Sequence, residues 1–271
     1  QKQRMALVER IRLTSFVKDI SISLAEGTTL HKILDQCANA VVDYLDAAFA
    51  RIWTLNEKEN ILELQASAGV YTHIDGSHSR IPVGKFKIGR IAQERKPHLT
   101  NSIFDDEYIS DKDWAKREGL VSFAGYPLIV EGHLVGIIAM FACKPLTEFT
   151  TRALASVSDI IALGIDRKQS EEALRLSEGK YRMLIENLPQ RIFYKDKDSR
   201  YVSCNENYAR DLKIRPDEIV GKTDYEFFPK ALAEKYRADD RRIMRSEKTE
   251  DIEEKYIIDG QELFVHTIKT P

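Results

Sequence analysis

No apolar run in this sequence approaches the ~20 residues that a membrane-spanning helix needs. The strongest candidate, Leu134 to Cys143, is roughly half that length and reads as a strand. The opening Gln1-Lys2-Gln3-Arg4 lacks the apolar core of a secretory signal. Cysteine is scarce as well: Cys37, Cys143 and Cys204 stand far apart, and none belongs to a C-x-x-C pair. An odd count at that spacing excludes a disulfide framework and a zinc ribbon, and it fits a reducing compartment. The expected location is therefore cytoplasmic, with no membrane in this stretch of chain. Charge of one sign is missing too, since 41 basic side chains face 43 acidic ones for a net −2. That balance points away from a nucleic-acid partner. Finally, there is no phosphate-cradling G-x-x-x-x-G-K-[ST], no G-x-S-x-G elbow and no zinc signature. The expectation is a chain that is not an enzyme by itself.

What is present is enough for two domains, because 271 residues at 43% hydrophobic can bury two ordinary cores. Leu13, Phe16, Val17, Ile20 and Leu24 recur at spacings of three and four and predict a helix ending at Glu26-Gly27. Thr28 or Thr29 can cap a second helix carrying Leu30, Ile33, Leu34, Cys37, Val41 and Leu45. The period then shortens to two in Phe49 to Leu55 and Ile61 to Ala66, which predicts a strand pair. A loop with Gly69, Gly76, Pro82 and Gly84 follows, then a short helix over Phe86 to Glu94 and a short strand at Pro97 to Thr100. Ser110, Asp111 or Asp113 can cap a helix through Trp114, and Ser122 to Ala142 reads as a hairpin turning at Glu131-Gly132.

From Thr147 the helical period returns with Leu154, Val157, Ile161 and Ile165, and no proline intervenes before Pro189. Residues 166–182 are densely charged helix formers that cannot build a core, so they read as a linker helix. The pattern then restarts. Ile192 to Tyr194 and Tyr201-Val202 predict one hairpin, Lys230 to Arg245 a longer helix, and Ile252 to Ile258 with Leu263 to Ile268 a second hairpin around Asp259-Gly260. This gives residues 1–24 as an N-terminal helix, 25–165 as a first domain, 166–182 as linker and 183–271 as a second domain.

The element order over about residues 10–165 resembles a GAF domain. The resemblance rests on the strand pair around Ala48 to Ala66, on Ile88-Gly89-Arg90-Ile91-Ala92, and on Ala124-Gly125-Tyr126-Pro127-Leu128 leading into Leu134-Val135-Gly136. Residues 180–271 resemble a PAS domain through Tyr181 to Pro189, Asn205-Glu206-Asn207-Tyr208-Ala209 and Glu218 to Thr223. The implied fold class is α+β: two domains, each a central antiparallel sheet flanked by helices, joined by a long helix. The resemblance further implies a sensory region of a larger signalling protein, with a histidine kinase as the first expectation for the parent and a diguanylate cyclase as the second. A last PAS strand and an output domain are expected beyond Pro271, and a homodimer is the expected assembly. Competing readings are a GAF-fold enzyme of the methionine sulfoxide reductase kind, which needs converging cysteines, and a structural dimerisation module with empty pockets.

In both families a small-molecule ligand sits between the sheet and the helices that cross it. The loop His73-Ile74-Asp75-Gly76-Ser77-His78-Ser79-Arg80 is the candidate cluster near the first such pocket. His73, Asp75 and His78 can ligate a metal, and His73, His78 or His98 can hold a cofactor such as haem. The plainer reading has Asp75 orienting a histidine or pairing with Arg80, and His98 satisfying a backbone carbonyl. Covalent bilin is disfavoured because Phe86 to Lys96 has no cysteine, and flavin because Cys204-Asn205 is in the wrong order. Cys143 reads as a small core residue. Arg237, Arg241, Arg242 and Arg245 alternate with acids and read as a salt-bridged face. Val157, Ile161 and Ile165 are expected to form a dimer stripe beside the linker; the alternative is that they pack back on their own sheet.

Overall fold

A computed structural model describes residues 2–76, 78–109, 111–258 and 261–271. The cluster residue Ser77, the capping candidate Ser110 and the predicted turn Asp259-Gly260 lie outside the described residues. The chain divides into two compact units at Ala173/Leu174, with one continuous 40-residue helix, α5 (Glu148–Asn187), carrying residues of both.

In the first unit, α1 (Lys2–Glu26) and α2 (Leu30–Leu45) precede a six-stranded antiparallel sheet. Thr29 caps α2 by accepting from the Lys32 N–H. The strands are β1 (Phe49–Asn56), β2 (Ile61–Gly69), β3 (Arg80–Pro82), β4 (His98–Thr100), β5 (Ser122–Val130) and β6 (His133–Ala142), in the order β3-β2-β1-β6-β5-β4. Between β3 and β4 runs α3 (Phe86–Glu94), and between β4 and β5 runs α4 (Lys112–Arg117), capped by Asp111 accepting from the Trp114 N–H.

The sheet's two faces bury different chemistry because side chains alternate along each strand. Toward the long helices it presents small or slim residues, among them Ala50, Ile52, Ala66, Ala68, Ala124 and Met140. Phe16, Ile20 and Leu24 of α1, Val41 of α2, and Leu154, Val157, Ile161 and Ile165 of α5 complete that cluster. Helices α1 and α5 approach closely at Gly164, where a Cβ would come within 2.2 Å of the Leu24 side chain. The opposite face carries Phe49, Trp53, Phe123, Ile137 and Phe141 beneath α3 and α4. Strand β2 serves both faces through a bulge at Gln65. Ile52 pairs with Ala66 and Trp53 with Leu64, so Leu62 and Leu64 point one way and Ala66 and Ala68 the other.

These contacts correct the expected dimer stripe. Val157, Ile161 and Ile165 are each 0% exposed inside their own unit, so they present no surface to a second copy. The stripe packs back because the small residues of the sheet leave room for a helix to close on them.

The second unit holds two antiparallel hairpins, β7 (Phe193–Lys195) with β8 (Tyr201–Cys204) and β9 (Glu250–Ile258) with β10 (Gln261–Lys269). Helices α6 (Glu206–Asp211) and α7 (Lys230–Ser246) lie between them in the chain. Its core gathers Tyr201, Tyr208, Ile219, Phe228, Ala233, Tyr236 and Tyr256. Both units are therefore α+β, as the sequence predicts.

Candidate functional site

The first unit contains a cavity of about 270 Å³ on the aromatic face of its sheet. Three of its lining residues, Phe49, Arg51 and Trp53, come from alternate positions of β1, so the pleat alone points them the same way. Phe141 from the neighbouring β6 stacks on Phe49 with ring centroids 4.8 Å apart, and Trp114 of α4 meets Phe141 edge-on at 5.5 Å. Tyr71 closes a side, edge-on to Phe49 at 5.3 Å, and its hydroxyl accepts from Trp114 Nε1 at 2.9 Å. The loop after Tyr71 is held by Trp53 Nε1, which donates to the His78 carbonyl at 3.0 Å. The opposite wall is α3. Glycine is needed at its position 89, since a Cβ there would come within 2.3 Å of the Pro82 carbonyl oxygen. That close approach seats Lys87 and Ile88 against the cavity.

Two cations line the space, and their surroundings differ. Lys87 is buried with its ammonium 4.0 Å from the Phe123 ring centre and donates to the buried Asp106 carboxylate. Burial pushes Lys87 below its ordinary value, against the opposing pull of Asp106. Asp106 is pushed up by burial, but the Lys87 hydrogen bond, the Tyr108 N–H and the charges of Lys87 and His98 hold it below the usual carboxylate range. We take this pair as ionised on both sides, because three separate contacts favour the carboxylate.

Arg51 has no such partner. Its Nε donates to Ser67 Oγ at 3.1 Å, and its guanidinium lies 5.5 Å and 5.9 Å from the Phe49 and Tyr71 ring centres. Among the described residues no carboxylate pairs with it. Burial lowers its pKa, but a guanidinium remains charged. Burial, followed by the Arg51 charge, also pushes His78 below its ordinary value, which favours a neutral ring.

The expected site residues are distributed unevenly. His73 and His78 both line the cavity, but Asp75 does not. His98 stands behind it, paired with Asp106 at 3.2 Å and edge-on to Phe123, instead of satisfying a backbone carbonyl. Among the described residues no group of three His, Cys, Asp or Glu side chains is gathered for a metal. The expected His73, Asp75 and His78 site is corrected accordingly. Asp75 is exposed, and the His78 ring meets Phe86 at 6.1 Å. Arg80 pairs with Glu59 at 2.6 Å and Glu63 at 3.3 Å, not with Asp75. Haem fits poorly for a separate reason. About 270 Å³ lies below the roughly 300–1,000 Å³ of pockets for drug-sized ligands, and a porphyrin is larger still.

The three thiols are apart from the cavity. Cys37 is buried on the helical face, with its thiol pushed up to about 12 by burial. Cys143 is exposed, contrary to its expected core role, and Cys204 belongs to the second unit. Sequence reasoning missed Arg51, Tyr71, Lys87 and Trp114. The available signal was Phe49-Arg51-Trp53, a cation between two aromatics on one buried strand face.

In the second unit the interior is occupied by a charged network. Lys195 donates to both oxygens of the fully buried Asp224, at 2.7 and 2.8 Å, and to Asp240 at 3.0 Å. Tyr201 donates to Asp224 at 2.8 Å, which leaves Tyr208 to donate to the Tyr201 oxygen at 2.8 Å. Burial raises both phenols well above their ordinary range and keeps them neutral.

Comparison with known proteins places these units. A family model described as GAF domain matches residues 27–166, and one described as PAS fold matches residues 185–271. The chain is 26% identical over 119 residues to a methanogenesis regulatory histidine kinase, FilI, of Methanothrix harundinacea. That match covers 44% of this chain and only 13% of the kinase. Among solved structures, the GAF domain of a phosphoenolpyruvate-protein phosphotransferase from Coxiella burnetii superposes at TM-score 0.54 and 16% identity, covering 60% of this chain and 98% of its own. The free methionine-R-sulfoxide reductase of Neisseria meningitidis, in complex with its substrate, does so at 0.50 and 14%, covering 59% and 91%. At these identities the structural likeness shows the fold alone.

Proposed function

The chain belongs to the GAF domain family and continues into a PAS fold, and from that premise we propose that it is the sensory region of a two-component sensor histidine kinase. In this reading the cavity under α3 and α4 takes a small molecule, and α5 carries the response toward an output domain. The functional division is residues 1–24, 25–165, 166–182 and 183–271, in a cytoplasmic homodimer. The distant kinase relative supports the parent's class; a cyclase parent has no such support.

The observation that carries the reading is the placement of the cavity. One face of a single sheet lines it, and the other face bears the first part of α5. A ligand that binds one sheet geometry better than another shifts the helix by that difference in affinity and no more. A reductase reading is disfavoured because none of the described residues lining the cavity is a cysteine. Native mass spectrometry of the chain purified from its host tests the sensory reading. A retained small molecule that is lost when Ala139→Trp fills the cavity is the expected result. A parent kinase whose autophosphorylation is unchanged by that substitution would overturn it.

A further inference from the structure

We propose that the cavity selects a small organic carboxylate with a flat apolar body, and that Arg51 is the residue that reads the carboxylate. This rests on the reading of the cavity as a ligand site and adds the chemistry of its occupant.

The argument is one of charge left over. Lys87 is neutralised by Asp106, which His98 also supports. Asp111 also lines the cavity, but its carboxylate caps α4 by accepting from the Trp114 N–H at 2.7 Å, and among the described residues it makes no ion pair with Arg51. His78 is held toward its neutral form. Of the lysine and arginine side chains lining the space, Arg51 is thus the one that no acid pairs with among the described residues. A half-buried guanidinium without a counter-ion is less well solvated than one in water, and an anionic ligand supplies the missing partner. Nε is already committed to Ser67, which itself donates to the Tyr71 carbonyl at 2.7 Å, so the head group is fixed in orientation. Its two terminal nitrogens have no acceptor among the described residues, and a guanidinium matches a carboxylate in a two-bond fork.

The rest of the space specifies the body of the ligand. Phe49, Trp53, Tyr71, Trp114 and Phe141 line the same space, Phe49 and Tyr71 with their ring centres 5.5 Å and 5.9 Å from the guanidinium. Such walls favour a planar or aromatic group in offset or edge-on contact. The volume limits it to a compact molecule, smaller than a nucleotide or macrocycle. A highly charged or strongly hydrated anion fits the guanidinium but not these walls.

Phenylacetate and its neutral isostere phenylacetamide test the proposal on the whole 271-residue chain. Trp53 and Trp114 are the chain's 2 tryptophans and both line the cavity, so intrinsic fluorescence reports on it directly. Phenylacetate should give a saturable change, with phenylacetamide about tenfold or more weaker, as expected when a charge-assisted hydrogen bond is lost. Arg51→Gln should abolish the difference between the two, and Arg51→Lys should retain part of it. If Arg51→Gln does not fold, the parent's preference and the lysine variant still decide. Equal affinity for acid and amide, or a preference that survives Arg51→Gln, would overturn the carboxylate assignment while leaving the cavity a ligand site. If neither compound binds, the proposal fails for this ligand class. A neutral or cationic molecule retained from the host would then uphold the sensory reading alone, and no retained molecule would count against both.

Discussion

Replacing Ile161 separates a core helix from an interface helix. Ile161 has no exposed surface and shares a cluster with side chains of α1, α2 and the sheet. Two further contacts hold α5 to its own unit: the close pass of Gly164 by Leu24, and Arg167 Nη2 donating to the Leu24 carbonyl at 2.8 Å. Ile161→Ala removes buried methylene and methyl groups and leaves a cavity, a change that costs about 2–5 kcal/mol. With a loss of about 3 kcal/mol and a urea m-value of about 2 kcal/mol/M, the midpoint falls by roughly 1.5 M. Ile161→Glu adds an unpaired carboxylate to the same site and costs more, enough to unfold a domain of ordinary stability, about 5–15 kcal/mol.

The assay is urea unfolding followed by tryptophan fluorescence. Both tryptophans belong to the first unit, so the signal reports that unit and not the second. Leu163, two residues away but 60% exposed, is the control, and Leu163→Ala should stay within about 0.5 kcal/mol of the parent. A folded Ile161→Glu chain with an unchanged midpoint and half the parent's mass in light scattering would refute the reasoning. It would restore the helix to an interface.

Four other outcomes follow from buried polar groups. Lys87→Met should destabilise the first unit by about 3–5 kcal/mol by stranding Asp106, and Asp106→Leu in the same chain should recover most of the loss. Because Asp106 is held below its ordinary 3.8, its contribution is complete above that pH and disappears as the pH falls through the folded value. Acid titration of tryptophan fluorescence should therefore show a transition below pH 3.8 in the parent that is absent from the double variant. Asp224→Asn removes the anionic acceptor of Lys195 and Tyr201 and should loosen the second unit, read as lost amide protection there with tryptophan fluorescence unchanged. Asn205 accepts from the Ile192 and Tyr208 N–H groups and donates to the Ile185 and Gln190 carbonyls, so Asn205→Ala should cost at least about 2 kcal/mol by the same exchange measurement.

Local signals were the most legible part of this fold. The stripe from Phe16 to Leu24, the Thr29 cap and the turn at Glu131-Gly132 each declare themselves within a few neighbouring residues, and the structure has them where they were expected. What failed was partner choice. An apolar helix face such as Val157 to Ile165 says that something covers it, but not whether a sheet or a second copy does. The deciding feature lies far away in sequence, in the alanines of β1, β2 and β5 that open a bed for the helix. The histidine loop failed similarly: His73, Asp75 and His78 are close in sequence, yet the two histidines line the cavity without Asp75, and among the described residues no such group is gathered for a metal.

The cavity shows how one local irregularity sets chemistry at a distance. In an unbroken alternation, Ile61 to Gly69 would put Leu62, Leu64, Ala66 and Ala68 on one face. The extra residue at Gln65 switches the face midway, so Ser67 stands opposite Arg51 on the cavity side while Leu64 stands opposite Trp53. Without the bulge, either Ser67 would point into the helical core or Leu64 would leave the aromatic face. Ser67 is the group that engages Arg51 Nε, and Tyr71 in turn receives the serine's hydrogen bond. The orientation of the guanidinium therefore depends on a single unpaired strand residue outside the cavity. A deletion of Gln65 should force either Leu64 onto the helical face or Ser67 into the helical core, so the urea midpoint of the first unit should fall.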